Sequence, residues 1–144
     1  MDNIAKRLKK LRKQSGLKQK EIAEKLNITA GGYSNYERNF SLPSCEKLVL
    51  LANIYHTTLQ YIITGEQDTQ YYDEKNFCPF PQRLCELREK RNMTQQQVAD
   101  CLGIRKATYQ GYEYDKYEPK LDKLLQLTDL FDVTLDELLG RNRT

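Results

Sequence analysis

Four cysteines and one histidine are the side chains of this sequence best suited to metal binding or nucleophilic chemistry. The cysteines are irregularly spaced and form no Cys-x-x-Cys pair: Cys45, Cys78, Cys85 and Cys101. Together with the single His56 they lack the ligand spacing of a typical zinc site. His56 has no nucleophile or carboxylate in a recognisable catalytic arrangement, so we expect no enzyme activity, no metal and no cofactor. We interpret the cysteines as reduced, small side chains, with a redox switch as the alternative.

The composition is that of an ordinary globular chain, with 144 residues, 39% of them hydrophobic and 30% charged. No stretch approaches the roughly 18 consecutive apolar residues of a membrane span. The basic N-terminus also lacks the apolar run of a secretory signal. We therefore expect a cytoplasmic protein without a membrane partner.

An internal repeat organises the sequence. Shifting the chain by 76 positions, for example from Arg7 to Arg83, brings identical residues into register from one end of the repeat to the other. The identities include Leu11 with Leu87, Gln19 with Gln95, Ala23 with Ala99, Tyr33 with Tyr109, Glu37 with Glu113 and Pro43 with Pro119. The sequence therefore predicts two tandem copies of the same fold.

Each copy is predicted to form five short helices. In the first copy, apolar residues at helical spacing predict a helix from about Asp2 to Gln14, which Gly16 would end. The other four are expected at residues 18–26, 29–38, 44–55 and 58–63, with Thr29, Ser44 and Thr58 at helix starts. The second copy repeats this pattern from Pro81 to Leu139, with Gly103 in the turn and Asp136 and Glu137 on a short solvent-exposed helix.

A segment between the two copies, residues 66–79, is polar, lacks helical periodicity and ends in prolines. These features indicate a linker. The predicted fold class is all-α, with a five-helix domain at 1–65, the linker at 66–79 and a second five-helix domain at 80–144.

Two strings carry a family resemblance: LRKQSGLKQKEIAEKLNITAGGYSNYE and LREKRNMTQQQVADCLGIRKATYQGYE. They resemble the helix-turn-helix core of lambda-repressor-like (Cro/xenobiotic-response-element) proteins over nearly all of the chain outside the linker and tail. The shared features are a glutamine that starts the second helix, an alanine where two helices approach closely, and a tight turn before the third helix. The resemblance implies that this third helix is a recognition helix that lies in the major groove of DNA.

In the first copy, the resemblance implies that Gln19, beside Lys18, anchors the second helix on a phosphate, helped by the positive end of the helix. Arg38 and Asn39, after the third helix, are expected to touch phosphate as well. The positions expected at base edges are Thr29, Ala30, Gly31, Ser34 and Asn35. Since Ala30 and Gly31 have no side-chain hydrogen bonds to offer, we expect Asn35, Ser34 and Thr29 to supply direct contacts, and asparagine pairs best with adenine.

In the second copy, Gln95 takes the place of Gln19. The positions expected at base edges are Arg105, Lys106, Ala107, Thr108 and Gln110. Arg105 and Lys106 can reach guanine or phosphate, with solvated charges at a helix start as the alternative. Gly111 replaces Asn35, which puts the corresponding base contact in doubt for this copy.

Charge also separates the copies. Residues 1–65 carry eleven Lys/Arg against five Asp/Glu, a net charge of +6, whereas residues 80–144 carry eleven of each and are neutral. Phosphate contacts supply most of the nonspecific affinity for DNA, so we expect the first domain to be the stronger binder. Its basic side chains near the N-terminus are Lys6, Arg7, Lys9, Lys10, Arg12, Lys13, Lys18 and Lys20.

Two further sets of residues are expected to be structural. The resemblance implies a partly buried ion pair between Arg12 and Glu37, repeated by Arg88 and Glu113, that ties the first helix to the end of the third. Four tyrosines at helical spacing are expected in the cores rather than on DNA bases: Tyr33, Tyr36, Tyr109 and Tyr112.

These observations predict a sequence-specific, repressor-like transcriptional regulator whose partner is double-stranded DNA. The alternative is a protein-interaction module, such as an antitoxin-like partner, with the neutral second domain serving assembly. Two arrangements on DNA stay open. One chain can act as a covalent pseudo-dimer on two unlike half-sites about 34–36 Å apart, or a homodimer can present one domain twice.

Overall fold

The computed structural model describes residues 3–67 and 72–143, excluding the side chains of residues 73–76 and 143. Two compact units divide the chain, Met1–Tyr71 and Tyr72–Thr144. Each unit contains five helices within the described residues. The predicted all-α fold class with two tandem five-helix domains is therefore confirmed.

The first unit contains helices α1 (Ile4–Ser15), α2 (Gln19–Leu26), α3 (Ala30–Glu37), α4 (Cys45–Ile54) and α5 (Leu59–Thr64). The Asn3 side chain accepts a hydrogen bond from the Lys6 N–H, so α1 starts at Ile4; the predicted start at Asp2 lies outside the described residues. Gly16 ends α1 with a φ of 75°, a left-handed conformation that suits glycine. Thr29, Ser44 and Thr58 accept first-turn N–H groups as predicted from their positions before helical segments.

The second unit contains β1 (Tyr72–Phe77), α6 (Phe80–Lys90), α7 (Gln95–Leu102), α8 (Lys106–Glu113), α9 (Leu121–Phe131), α10 (Leu135–Leu138) and β2 (Arg141–Arg143). Thr94 and Gln97 exchange hydrogen bonds at the start of α7 and form a capping box. Gly103 ends α7 with a φ of 69°, in the turn where the sequence predicted it.

The second unit also contains a two-stranded antiparallel sheet, which the sequence did not predict. Strand β1 lies inside the predicted linker and pairs with β2 near the C-terminus, with Tyr72 opposite Arg143. The second compact unit consequently begins at Tyr72 rather than at residue 80. A polar segment without helical periodicity resembles a linker because its pairing partner is about 70 residues away in sequence, beyond the reach of any local pattern. Residues 68–71 of the predicted linker lie outside the described residues.

The prediction for Asp136 was wrong, because this residue is fully buried rather than solvent-exposed. Its Oδ1 accepts a hydrogen bond from Nη1 of Arg141 at 2.5 Å, and the Arg141 guanidinium lies 5.0 Å from the ring centre of Tyr72. The strand pair covers α10, which explains why a short acidic helix is buried here.

The cores of the two units repeat the predicted apolar pattern. Ala23 and Ala99 are buried where helices approach closely, as expected. Tyr33 and Tyr109 are fully buried, and each meets the edge of its helical neighbour, Tyr36 or Tyr112, with ring centres 6.1 and 6.2 Å apart. The core role predicted for these four tyrosines is confirmed for Tyr33, Tyr109 and Tyr112, whereas Tyr36 is only partly buried.

Candidate nucleic-acid interface

The start of α2 is held by a three-residue network. The Arg12 guanidinium binds both carboxylate oxygens of Glu37, at 2.7 and 3.0 Å, and Nε2 of Gln19 donates to Glu37 Oε1 at 3.1 Å. The Glu37 side chain is only 2% exposed. Burial would raise its pKa, but the hydrogen bonds from Arg12 and Gln19 outweigh burial and hold the pKa below 4.5. The predicted ion pair is thus present, and it links α1, α2 and α3.

The second unit repeats this network nearly atom for atom. Arg88 binds Glu113 at 2.7 and 3.1 Å, and Nε2 of Gln95 donates to Glu113 at 3.3 Å. Burial again opposes ionisation of Glu113, and the bonds from Arg88 and Gln95 lower its pKa despite it. Each glutamine amide has two N–H groups, so either Gln19 or Gln95 can donate one to Glu and one to an anion.

The outward side of α3 and its cap carry small and polar residues. Thr29, Ala30 and Gly31 are exposed, and Ser34 and Asn35 are half-buried one turn later, while Tyr33 faces the core. The Thr29 hydroxyl accepts the Gly32 N–H at 3.0 Å and still has its own proton to donate. A Cβ atom added at Gly31 would meet nothing within 4 Å. Four of the five predicted base-contacting residues therefore lie along α3, and Thr29 caps its start.

The basic residues predicted near the N-terminus fall into two groups. Lys6, Lys9, Lys10, Lys13, Lys18 and Lys20 are exposed. Arg7 is 7% exposed and donates from Nε to the Ile62 carbonyl at 2.8 Å and from Nη2 to the Ile63 carbonyl at 2.7 Å. Its inclusion in a phosphate-facing surface was wrong, because it binds carbonyl groups near the C-terminal end of α5. Arg12 is likewise committed to Glu37.

Arg7 has a counterpart in the repeat that plays the same part. Arg83 donates to the Glu137 carbonyl at 2.9 Å and also binds the side chain of Asn142. The identity of Arg7 and Arg83 across the repeat was the signal that could have separated this structural arginine from the lysines around it, which do not recur.

The first half of α8 carries more charge than α3. Arg105, Lys106 and Ala107 are exposed, and Thr108 and Gln110 are half-buried. Nε2 of Gln110 donates to Oε1 of Gln95 at 2.9 Å, a contact that the sequence analysis did not predict. Gln95 thereby bridges Glu113 and Gln110, whereas the residue matching Gln110 in the first unit is the shorter Ser34.

The segments after the two recognition-type helices differ in charge and in exposed aromatic surface. In the first unit, the exposed Arg38 lies 4.4 Å from the ring centre of Phe40, which is also exposed. In the second unit, the aligned position of Arg38 is Tyr114, which is 60% exposed. The position directly after the helix therefore carries a cation in the first unit and an aromatic ring in the second.

All four cysteines and His56 lie within the described residues. No group of three or more His, Cys, Asp and Glu side chains in those residues is placed to hold a metal ion. All four cysteines are free, and only Cys45 is buried. Within the same residues, every helix is too short or too polar to cross a membrane.

Comparison with known families supports the geometry. A family model described as Helix-turn-helix matches residues 8–62 and, a second time, residues 86–138. The chain therefore belongs to the lambda-repressor-like helix-turn-helix family, with two tandem copies of its domain.

Several bacterial regulators are similar to this chain. The HTH-type transcriptional regulator AnsR of Bacillus subtilis is 56% identical over 61 residues, which cover 42% of this chain and 53% of AnsR. ImmR, also an HTH-type transcriptional regulator of Bacillus subtilis, is 43% identical over 65 residues, covering 45% of this chain and 51% of ImmR. The cryptic phage CTXphi transcriptional repressor RstR of Vibrio cholerae is 37% identical over 60 residues, with coverages of 42% and 54%.

The chain spans about half the length of the curated relatives that it matches. Among solved structures, a transcriptional regulator from Listeria innocua is similar at 27% identity, with a TM-score of 0.41 and coverage of 42% of this chain and 56% of that one.

Proposed function

We propose that this chain is a sequence-specific, DNA-binding transcriptional regulator of the repressor type, in which α3 enters the major groove. The observation that carries the proposal is the Arg12–Glu37–Gln19 network. It fixes a glutamine at the positive end of α2 and ties it to Glu37 at the C-terminal end of α3. An anion bound by Gln19 would set the depth and register of α3 on a duplex. Such a role requires access to DNA, so the proposal includes a cytoplasmic location.

The proposed roles in the first domain follow from side-chain chemistry. Gln19, Lys18 and Arg38 hold phosphates. Asn35 contacts a base edge, and Thr29 and Ser34 add hydroxyl contacts. Ala30 and Gly31 offer no side-chain hydrogen bond, but their small size lets the backbone of α3 approach the groove closely.

The second domain is proposed to bind DNA more weakly. Gln95 would anchor α7 on phosphate, Arg105 and Lys106 would meet guanine or phosphate, and Thr108 and Gln110 would lie near base edges. Residues 80–144 carry no net charge, in contrast to +6 for residues 1–65. Electrostatic attraction to DNA would therefore come mainly from the first domain.

Selection of bound sequences from random DNA, run on the full chain, tests this proposal. Asn35→Ala should cost about 1–3 kcal/mol on the selected site and relax the preference at one base pair. Gln19→Ala should weaken selected and random sequences alike, because a phosphate contact carries no sequence information. Gln14→Ala, an exposed change at the end of α1, is the matched control. The absence of any enriched sequence with the wild-type chain would refute the proposal.

The salt dependence of binding tests the division of roles between the domains. Lys18→Ala should lower the slope of log affinity against log salt by about 0.9, the value for one lost phosphate contact. Lys106→Ala, the corresponding test in the second domain, should change the slope less. A larger effect from Lys106→Ala would reverse the assignment of the stronger domain.

Binding of a protein partner by the second domain is a second candidate function. Tyr114 and Tyr117 are 60% and 59% exposed in a segment without net charge, a combination that fits a protein interface better than a polyanion. A purified complex with a protein partner that withstands high salt and needs Tyr114 would favour this function. Loss of the complex at the salt concentration that releases DNA would argue against it.

The difference between α3 and α8 allows two possible assemblies on DNA to be distinguished. One chain that uses both helices would require two unlike half-sites, whereas two chains that present the same domain would select a palindrome. Light scattering of the free protein combined with footprinting of the complex distinguishes these assemblies. Because residues 72–77 belong to a strand of the second unit, the connector available for a pseudo-dimer is shorter than the sequence alone indicated.

A further inference from the structure

The most informative difference between the two copies involves two positions that change together. Asn35 in α3 is replaced by Gly111 in α8, and Ser41, in the loop after α3, is replaced by Tyr117 in the loop after α8. A helix-interior glycine ordinarily costs stability relative to a residue with a side chain. The position of Gly111 therefore requires a structural reason.

The Tyr117 ring supplies this reason. A Cβ atom built on Gly111 would overlap ring carbons Cδ2 and Cε2 of Tyr117 and would lie 3.1 Å from Cγ. Gly111 is buried although it aligns with Asn35, one of the positions of α3 expected at a base edge. The ring thus takes the space in which the Asn35 side chain stands in the first domain.

The loop backbone fixes the ring in this place. The Gly111 carbonyl accepts the N–H groups of both Lys116, at 2.8 Å, and Tyr117, at 3.1 Å. In the first domain the Asn35 carbonyl accepts the N–H of Phe40 at 2.9 Å, and both loops contain a left-handed residue one position earlier, Asn39 or Asp115. The two loops therefore follow the same path up to Phe40 and Lys116, the residues just before Ser41 and Tyr117.

We propose that the Tyr117 ring masks the base-contacting position at Gly111, so that the Gly111–Tyr117 pair denies the second domain the base contact that Asn35 makes in the first. The inference rests on the proposed function. Masking removes the adenine-type contact of Asn35 and confines base contacts of the second domain to Arg105, Lys106, Thr108 and Gln110. The other side of the ring stays open to solvent, with Tyr117 59% exposed in total.

The experiment exchanges the pair in the full chain. Gly111→Asn/Tyr117→Ser installs the residues of the first domain, Gly111→Asn alone introduces the clash, and Tyr117→Ser alone removes the ring without adding a side chain. Sequences bound by each variant are selected from random DNA. The double variant should gain an adenine preference of about 5- to 150-fold at one base pair, the range expected for one bidentate contact. Tyr117→Ser alone should keep the wild-type preferences.

Two results overturn the proposal when the wild-type chain enriches a sequence. One is an unchanged preference for a folded double variant, and the other is the loss of a wild-type preference in Tyr117→Ser, which would mean that the ring itself contacts a base. If the wild-type chain enriches no sequence, the proposed function fails and the masking proposal falls with it. The selection with the wild-type chain thus distinguishes failure of the proposed function from failure of the masking proposal.

Thermal unfolding gives a test that does not depend on DNA and still applies if the double variant does not fold. Gly111→Ala should lower the melting temperature by several degrees when Tyr117 is present, because the new Cβ meets the ring. The same change in a Tyr117→Ser background should leave the melting temperature unchanged or raise it, since alanine favours a helix. Equal effects in the two backgrounds would show that the ring does not occupy this position, and the proposal would be overturned.

Discussion

The helices α3 and α8 are held by the same buried Arg–Glu ion pair but present different residues to solvent. Arg12 with Glu37 and Arg88 with Glu113 have the same closest distance of 2.7 Å. On the outward sides, however, α3 begins with Ala30 and Gly31, whereas α8 begins with Lys106 and Ala107. The two copies are thus identical at the buried Arg–Glu pair, where each charge depends on its partner, and differ where side chains meet solvent. The shared network therefore positions two helices that present different side chains.

The largest effect is expected from breaking the shared framework. Arg12→Met and Arg88→Met should each lower the free energy of unfolding of their own unit by about 3–5 kcal/mol, because each leaves a buried carboxylate without its cation. Chemical denaturation of the full chain should show one transition moving in each variant. The exposed Lys9→Met is the control and should change stability by less than about 0.5 kcal/mol. Losses that differ greatly between the two variants would contradict the equivalence of the networks.

A smaller effect is expected on acidification, because protonation neutralises a carboxylate instead of leaving it charged and alone. The pKa values of Glu37 and Glu113 are lowered in the folded chain, so each carboxylate contributes stability above its ordinary value of 4.5. This contribution is lost as the pH falls below 4.5 and through the folded-state pKa. Unfolding measured against pH should therefore show a weaker acid dependence for Glu37→Gln than for the wild type. Glu24→Gln, an exposed change in α2, should retain the wild-type dependence.

The next prediction concerns a core hydrogen bond that only one copy has. The Tyr33 and Tyr55 hydroxyls are 2.5 Å apart. In the second unit Phe131 stands at the position aligned with Tyr55, and the buried Tyr109 hydroxyl lacks a hydrogen-bond partner within the described residues. Tyr55→Phe should cost about 1–3 kcal/mol by leaving the Tyr33 hydroxyl buried and unpaired. Phe131→Tyr should stabilise the second unit by about 0.5–1.5 kcal/mol. Destabilisation by Phe131→Tyr in thermal unfolding would show that the second core has no room for the hydroxyl.

The smallest expected effect lies on the contact surface of α3. Gly31→Ala should stabilise the first unit by about 0.5–1 kcal/mol, because alanine favours a helix and its methyl group meets nothing within 4 Å. The reverse change at the aligned position, Ala107→Gly, should destabilise the second unit by a similar amount. If the backbone of α3 approaches DNA as proposed, Gly31→Ala should also weaken binding to the selected site. Unchanged affinity would mean that this part of α3 stays away from the groove.

Local patterns predicted the helices well because their determinants lie within a few residues of each other. Thr29, Ser44 and Thr58 accept N–H groups three residues ahead, and Gly16 and Gly103 take the left-handed conformation within one turn of the helix that they end. The internal repeat extended these predictions to a second domain.

Features that depend on distant residues were missed. Strand β1 needs β2, and Arg7 needs the carbonyl groups of Ile62 and Ile63, more than 50 positions away. The Gly111–Tyr117 contact was nonetheless accessible in principle, since a large residue and a small one exchange places between the copies. The placement of the base-contacting residues against DNA stays a prediction, because it depends on the sequence and shape of a DNA duplex and not on the protein alone.

The sheet of the second unit has a mechanical consequence. Because β1 and β2 are antiparallel and Tyr72 pairs with Arg143, the two ends of this unit leave the sheet at the same side. A force that pulls the chain apart at these ends would act across the Tyr72–Arg143 pair first and then across Asp73 and Asn142. The residue pairs of the two strands would separate one after another, instead of all bearing the load together as they would in shear. Tension applied at these ends would therefore separate β1 from β2 and expose Asp136 before the force acted on the helices α6 to α9.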